Sequence, residues 1–139
     1  MKDFVCSIIG AVGGFISLVF GGWSSAMTTL LIFMGVDYLS GVILAGVFKK
    51  SPKTNSGALN SRIGWAGLSR KILTLLLVLV AHRIDLAVGT FFVKDAVCIA
   101  FITNELLSIV ENAGLMGIPI PEGITKSIEL LKAKGGVKE

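Results

Sequence analysis

The stretch NELLSIVENAGLMGIPIP, residues 104–121, decides how the rest of this chain is interpreted. It places two carboxylates and two amides at the end of an otherwise apolar run, and two prolines follow them. Helical spacing puts Asn104 and Ser108 on one polar side of a helix, with Glu105 beside them, and the aliphatic residues on the other side. If lipid surrounds such a helix, its polar side is satisfied only by partner helices or by enclosed water.

The composition indicates that lipid does surround most of the chain. Its 139 residues are 53% hydrophobic and only 16% charged, and the mean hydropathy is +0.83. A soluble domain carries about 25% charged residues, because its surface must face water. This chain has too few charges for that, so we expect an integral membrane protein with a single domain.

The apolar segments predict an all-α fold with four transmembrane helices, since a span needs roughly 20 residues. The expected helices are 4–21, 26–48, 72–93 and 96–113, and the sequence GGWSS supplies the first turn. Two alternatives remain open. One alternative for the first segment is a cleaved signal peptide with SSA at 24–26 as its cleavage site, but the n-region offers only Lys2 against Asp3, so we expect the segment to stay. The charges at Arg83 and Asp85 are compatible with a re-entrant or interfacial third helix, which would leave three spans.

The connection at 49–71 concentrates positive charge, which by the positive-inside rule assigns it to the cytoplasm. Both termini then lie in the cytoplasm as well, and a transmembrane domain, 1–113, is followed by a basic cytoplasmic tail, 114–139. We expect the tail to form a short surface helix. The residues expected to set the topology and contact anionic lipid are Lys49, Lys50, Lys53, Arg62, Arg70 and Lys71.

Polar residues within the apolar segments are the candidate functional groups. A central aspartate such as Asp37 costs at least about 2.5–3.5 kcal/mol on insertion scales, so it should face other helices or water. A structural hydrogen bond within the helix bundle is an equally acceptable role for it. The residues predicted to form a polar, pore-facing surface are Asp37, Asp85, Asn104, Glu105 and Ser108.

Small residues indicate where helices approach each other closely. Gly10 and Gly14 form a GxxxG step on one face of the first helix, and Gly41 lies on the same side of the second helix as Asp37. In lipid, helices associate through such small residues. We therefore predict that these glycines mediate close packing between helices.

The chain has little material for catalysis. It contains one histidine and two cysteines without a CxxC pair, so we expect no metal and no cofactor. No nucleophile has a histidine placed to activate it, and we expect no enzyme activity. No nucleic-acid-binding motif is present either.

Four motifs together resemble a known family. They are VDYLSG at 36–41, NSRIGWAGLSRK at 60–71, AHRID at 81–85 and the opening stretch at 104–121. This combination, over about residues 27–133, is similar to the small phage lysis and toxin-secretion holins of clostridial and other Gram-positive phages. The resemblance implies a protein that oligomerises in the host cytoplasmic membrane and opens lesions. These lesions collapse the proton-motive force and release an endolysin or toxin without requiring direct contact with it.

Two other functions compete with this interpretation. A small channel or transporter subunit would use the buried charges to bind an ion or a solute. A membrane scaffold would use only its basic cytoplasmic face, and its function would then survive the loss of Asp37 or Glu105.

Overall fold

A computed structural model of the chain describes residues 1–135, and the part of the predicted tail at 136–139 lies outside them. The described residues form α-helices and no strand, which confirms the all-α prediction. A π-helical segment, Leu44–Phe48, prolongs the second helix. The helices are α1 (Lys2–Val19), α2 (Ser25–Ile43), α3 (Ser61–Val88), α4 (Val93–Leu115) and α5 (Glu122–Lys134).

The turn between α1 and α2 lies at GGWSS, where the sequence placed it. Gly21 and Gly22 both adopt positive φ angles, a conformation that costs glycine nothing. The Ser24 side chain then accepts a hydrogen bond from the backbone N–H of Met27 at 3.2 Å and so caps α2. A Cβ atom on Gly21 would lie 2.2 Å from the ring of His82, so this turn packs directly against α3.

Helix α3 begins at Ser61, whereas the sequence pattern placed the start of this helix near residue 72. Its N-cap is Asn60, whose side-chain oxygen accepts hydrogen bonds from the backbone N–H groups of Arg62 and Ile63 at 3.0 and 3.4 Å. The glycines and charges of this stretch suggested a loop, but the cap satisfies the first free N–H groups of a helix. The connection between α2 and α3 therefore shortens to residues 49–60.

Helices α2, α3 and α4 pack around one apolar core. Its buried residues are Met27, Leu30 and Met34 from α2, Val78 from α3, and Cys98 and Ile102 from α4. By contrast, α1 has no buried residue. Within residues 1–135, two helices are long and apolar enough to cross a membrane, Lys2–Val19 and the continuous segment Ser25–Phe48.

Helix α5 packs against α4 rather than standing apart from the other helices. Ile128 is buried, and Leu131 contacts the core formed by α2, α3 and α4. On the exposed side of α5, Lys126 and Glu122 form an ion pair at 2.8 Å. The predicted tail helix thus forms, with its apolar side against the protein.

The α3–α4 turn is held by Asp85, which the sequence analysis placed on the polar surface. Its carboxylate accepts hydrogen bonds from the Thr90 hydroxyl at 2.6 Å and from the backbone N–H groups of Val93 and Lys94 at 3.0 and 2.8 Å. A carboxylate at this point satisfies free N–H groups of α4 and interacts favourably with the helix dipole. In the described chain, therefore, Asp85 caps α4.

We expect Asp85→Ala to lower the free energy of unfolding by about 1–2 kcal/mol, because α4 loses its cap. Circular dichroism of the purified protein during unfolding in detergent micelles would measure the change. Asp95→Ala is the matched control, since Asp95 is an exposed carboxylate in the first turn of the same helix. Equal effects of the two substitutions would contradict the capping role.

Candidate functional site

A cluster of charged side chains joins α2, α3 and α4. The Nζ atom of Lys71 lies 2.7 Å from Oδ2 of Asp37 and 2.6 Å from Oε2 of Glu105. Each helix contributes one residue, and the lysine bridges the two carboxylates. We call Asp37, Lys71 and Glu105, together with Asn112 and Ser40, the polar cluster.

Asn112 completes the polar cluster from the next turns of α4. Its Nδ2 atom donates to Oγ of Ser40 at 2.9 Å and to Oδ1 of Asp37 at 3.3 Å. Within residues 1–135, every buried side-chain nitrogen and oxygen has a hydrogen-bond partner. Glu105 and Asn112, two of the polar residues of the opening stretch, therefore have their partners inside a single chain.

A glycine and a tyrosine of α2 face the neighbouring helices beside the polar cluster. Gly41 lies one helical turn after Asp37, and a Cβ atom there would be 3.8 Å from Nδ2 of Asn112. The side chain of Tyr38 then links α2 to α3, because its hydroxyl donates to the carbonyl of Gly64 at 3.4 Å. Gly41 therefore faces α4, and its role in close helix packing stays a prediction.

The polar cluster is removed from water. Asp37 and Glu105 are each 8% exposed, and the Lys71 side chain is 14% exposed. Two carboxylates share one ammonium group, so the cluster has a net charge of −1 when all three groups are ionised. Buried charges are tolerated when they are paired and hydrogen-bonded, and the loss of one partner is strongly destabilising.

A cavity of about 440 Å³ adjoins the cluster. It lies between α2, α3, α4 and the loop at 49–60, and its walls include Asp37, Lys71 and Glu105. The loop has a tight backbone: Gly57 adopts φ +74°, and a Cβ atom there would lie 2.1 Å from the carbonyl oxygen of Lys49. Because its walls include residues of the loop as well as Lys71 and Glu105, the cavity extends from the loop to the charged groups.

The structure brings four of the five predicted polar residues to this cavity. Asp37, Asn104, Glu105 and Ser108 all line it, although Asn104 is exposed and Ser108 is half-buried. Asp85 lies elsewhere, in a cavity of about 350 Å³ that His82 and Lys94 also line.

Lys71 is the main difference from the sequence analysis, which grouped it with the basic loop as a topology and lipid-contact residue. It lies within α3 and is bound by two carboxylates. The available signal was its helical register with Thr74 and Val78, which points it toward the bundle interior. The other basic residues of that group are exposed: Lys49, Lys50, Lys53, Arg62 and Arg70.

The glycines of α1 have no partner nearby in the described chain. A Cβ atom on Gly10 or Gly14 would meet nothing within 4 Å, so their role in helix packing stays a prediction. The end of α1 is attached through Lys94, whose buried ammonium group donates to the carbonyl of Phe20. Lys94 lies between the expected helices 72–93 and 96–113, and the sequence pattern gave no sign of this contact.

The described residues contain no group of three or more His, Cys, Asp or Glu side chains placed to hold a metal ion. The cysteines are both free, with Cys6 exposed on α1 and Cys98 buried in the core. The geometry of the site is that of a buried ion-pair cluster beside a cavity of about 440 Å³.

Residues 14–133 match the model of the bacteriophage holin family. The chain belongs to this family. Membership implies a location in the cytoplasmic membrane. It also agrees with the resemblance carried by the four sequence motifs.

Several bacterial and phage proteins are similar to this chain. A probable holin of Bacillus phage phi105 is 34% identical over 110 residues, which cover 78% of this chain and 76% of that protein. An uncharacterised protein of Listeria innocua is 37% identical over 131 residues, covering 94% and 86%. One from Clostridium perfringens is 34% identical over 138 residues, covering 96% of each. No solved structure matches the chain.

We expect Lys71→Met to lower the free energy of unfolding by about 3–5 kcal/mol, because it leaves two buried carboxylates without their cation. Unfolding in detergent, followed by circular dichroism, would measure the loss. Arg83→Met is the matched control, since it removes one exposed positive charge from the same helix. The double variant Asp37→Asn, Lys71→Met should be more stable than Lys71→Met alone, because one of the two unpaired carboxylates is removed. If Lys71→Met lowers the free energy of unfolding no more than Arg83→Met does, the prediction is wrong.

Proposed function

We propose that this protein is a holin that oligomerises in the host cytoplasmic membrane and opens lesions in it. The lesions dissipate the proton-motive force and give an endolysin, or a toxin, passage out of the cytoplasm. The observation that carries the proposal is the polar cluster, which joins the middle of three helices in a member of the holin family.

We infer four spans, α1 to α4, from helix length, whereas length and composition together select α1 and Ser25–Phe48 among the described residues. At 1.5 Å per residue, α1 is about 27 Å long, α4 about 34 Å, and α2 with its π-helical extension about 36 Å. These lengths approach or exceed the hydrocarbon thickness of about 30 Å. Helix α3 is about 42 Å long, so its basic first turns extend beyond the hydrocarbon. With the loop at 49–60 in the cytoplasm, both termini lie there as well.

In this arrangement the polar cluster lies deep in the hydrocarbon layer. Asp37 and Glu105 lie about 18 Å along their helices from Ser25 and Val93, the ends that face outward. They therefore lie more than halfway across the membrane, and the cavity connects them to the cytoplasmic loop. Ionised groups at such depth are expensive and mark ion or water pathways.

Lesion formation requires this cluster to change its surroundings. In the single chain, Asp37 and Glu105 face inward and cannot line a water-filled opening larger than the cavity. Separation of α2, α3 and α4 would turn these carboxylates, together with Asn104 and Ser108, toward water. The apolar sides of the same helices would stay against lipid or neighbouring copies, so one chain can contribute to both surfaces of a lesion.

The exposed surface of α1 supports association between copies. Helix α1 has no buried residue, and its glycines leave open space beside the backbone. Small residues allow two helices to approach closely in lipid. We propose that Gly10 and Gly14 make this contact between neighbouring subunits.

The proposed function is tested by inducing the protein together with an endolysin that lacks a secretion signal. We expect a delay, then abrupt depolarisation reported by a potential-sensitive dye, and then lysis. The endolysin alone should leave the culture intact. Glu105→Ala should delay or abolish lysis at equal membrane abundance. Continued growth of the wild-type culture, with the protein present in its membranes, would show that the protein is not a holin.

The contact through α1 is tested by oxidation of membranes that contain the protein. Cys6 is exposed and lies one helical turn before Gly10, so copper-catalysed oxidation should yield disulfide-linked dimers on a non-reducing gel. Cys6→Ser should abolish the dimer, whereas Cys98→Ala should leave it unchanged because Cys98 is buried. Absence of a Cys6 dimer would refute close packing of α1 at this turn.

A channel or transporter subunit is the second candidate, and the cavity of about 440 Å³ that ends at charged groups favours it. Such a protein would change the uptake of an ion or a solute without abrupt depolarisation or lysis. The induction experiment therefore separates the two functions. A scaffold that uses only basic surface residues predicts normal function after Asp37→Ala or Glu105→Ala.

A further inference from the structure

We propose that Lys71 is the positioning residue that keeps the protein in a closed form, in which Asp37 and Glu105 face the interior of the bundle. The inference rests on the proposed holin function and adds a control on when lesions form. It assigns that control to one ammonium group. The sequence analysis predicted that Lys71 sets the topology and contacts lipid. That role includes no control over when lesions form.

The position of Lys71 supports this role. Its Nζ atom contacts a carboxylate of α2 and a carboxylate of α4, at 2.7 and 2.6 Å. These are the only salt bridges that join different helices in residues 1–135, since the remaining one lies within α5. Any separation of α2, α3 and α4 that exposes the carboxylates must break at least one of the two contacts.

The other polar contacts of the cluster cannot replace the lysine. Asn112 and Ser40 supply an amide and a hydroxyl, which hydrogen-bond to their neighbours but carry no charge. Arg70, the nearest other cation in the sequence, lines the cavity but is exposed. Without Lys71, two carboxylates of adjacent helices would face each other while buried, and like charges in a dry site repel strongly.

The proposal gives a sign for each substitution. In the closed form the carboxylates are buried, and in the open form they are hydrated. Loss of the ammonium group leaves two buried carboxylates without a cation, which raises the free energy of the closed form relative to the open form. A buried charge that loses its partner shifts such an equilibrium toward the hydrated form on the order of a hundredfold. Lesions should therefore form earlier.

Removal of one carboxylate has the opposite effect. Glu105→Gln leaves a neutral pair of Asp37 and Lys71, and its amide keeps the shape and hydrogen-bonding capacity of the side chain. In the closed form this removes a buried negative charge that no cation compensates, which lowers the free energy of that form. In the open form it removes only a hydrated charge, which changes the free energy much less. The equilibrium then shifts toward the closed form, so lysis should come later.

The test measures the interval between induction and lysis, with the signal-less endolysin present. Lys71→Met should shorten this interval by at least about twofold, since the equilibrium shift is far larger than that. Lys71→Arg should restore an interval close to that of the wild type, because arginine binds both carboxylates as a cation. Glu105→Gln should lengthen it. Arg83→Met is the matched control and should match the wild type.

Membrane abundance is measured by immunoblotting for every variant, so that the intervals are compared at equal protein level. If Lys71→Met does not accumulate, Glu105→Gln decides, and an unchanged interval for that variant overturns the proposal. An interval for Lys71→Met equal to that of Arg83→Met also overturns it, while wild-type lysis would leave the holin function standing. Failure of the wild type to lyse the culture would instead reject the holin function itself.

Discussion

The compensation of buried charge by Lys71 is the interaction on which the arrangement of α2, α3 and α4 depends. Two carboxylates lie on different helices, and each is almost fully removed from water. Their burial is tolerated because one ammonium group from the third helix binds both. This requirement sets the rotation of each helix about its own axis, since any other rotation would leave a charge facing lipid.

The apolar core holds the three helices together, whereas the polar cluster selects how they are arranged. Packing of Leu30, Val78 and Ile102 holds the three helices together, but between lipid-soluble helices it gives little preference for one arrangement, because lipid tails are equally apolar. The polar cluster supplies that preference. A bundle whose arrangement depends on one ionic cluster can change its packing without unfolding its helices, which is what the proposed change from a closed to an open form requires.

The helices at the two ends of the chain differ from the central three. Helix α1 is attached through its last turn, where Lys94 binds the carbonyl of Phe20, and it leaves its remaining surface for lipid or another copy. Helix α5 covers part of α4 with Ile128 and Leu131. The charged groups that would suggest catalysis in a soluble protein are instead used for capping, as at Asp85, or for charge compensation, as at Lys71.

The sequence by itself determined the helical class, the turn at GGWSS, the family resemblance and the inward position of Asp37 and Glu105. These features depend on composition and on periodicity within one helix, which are local properties of the chain. Only the tertiary structure decided that Lys71 is the partner of both carboxylates, that Asp85 caps α4 and that Lys94 binds the end of α1. Each of these contacts joins different segments of the chain, and the pairing of Lys71 links residues 34 positions apart in both directions. Periodicity shows which way a side chain points, but the packing of neighbouring helices selects the partner that it meets.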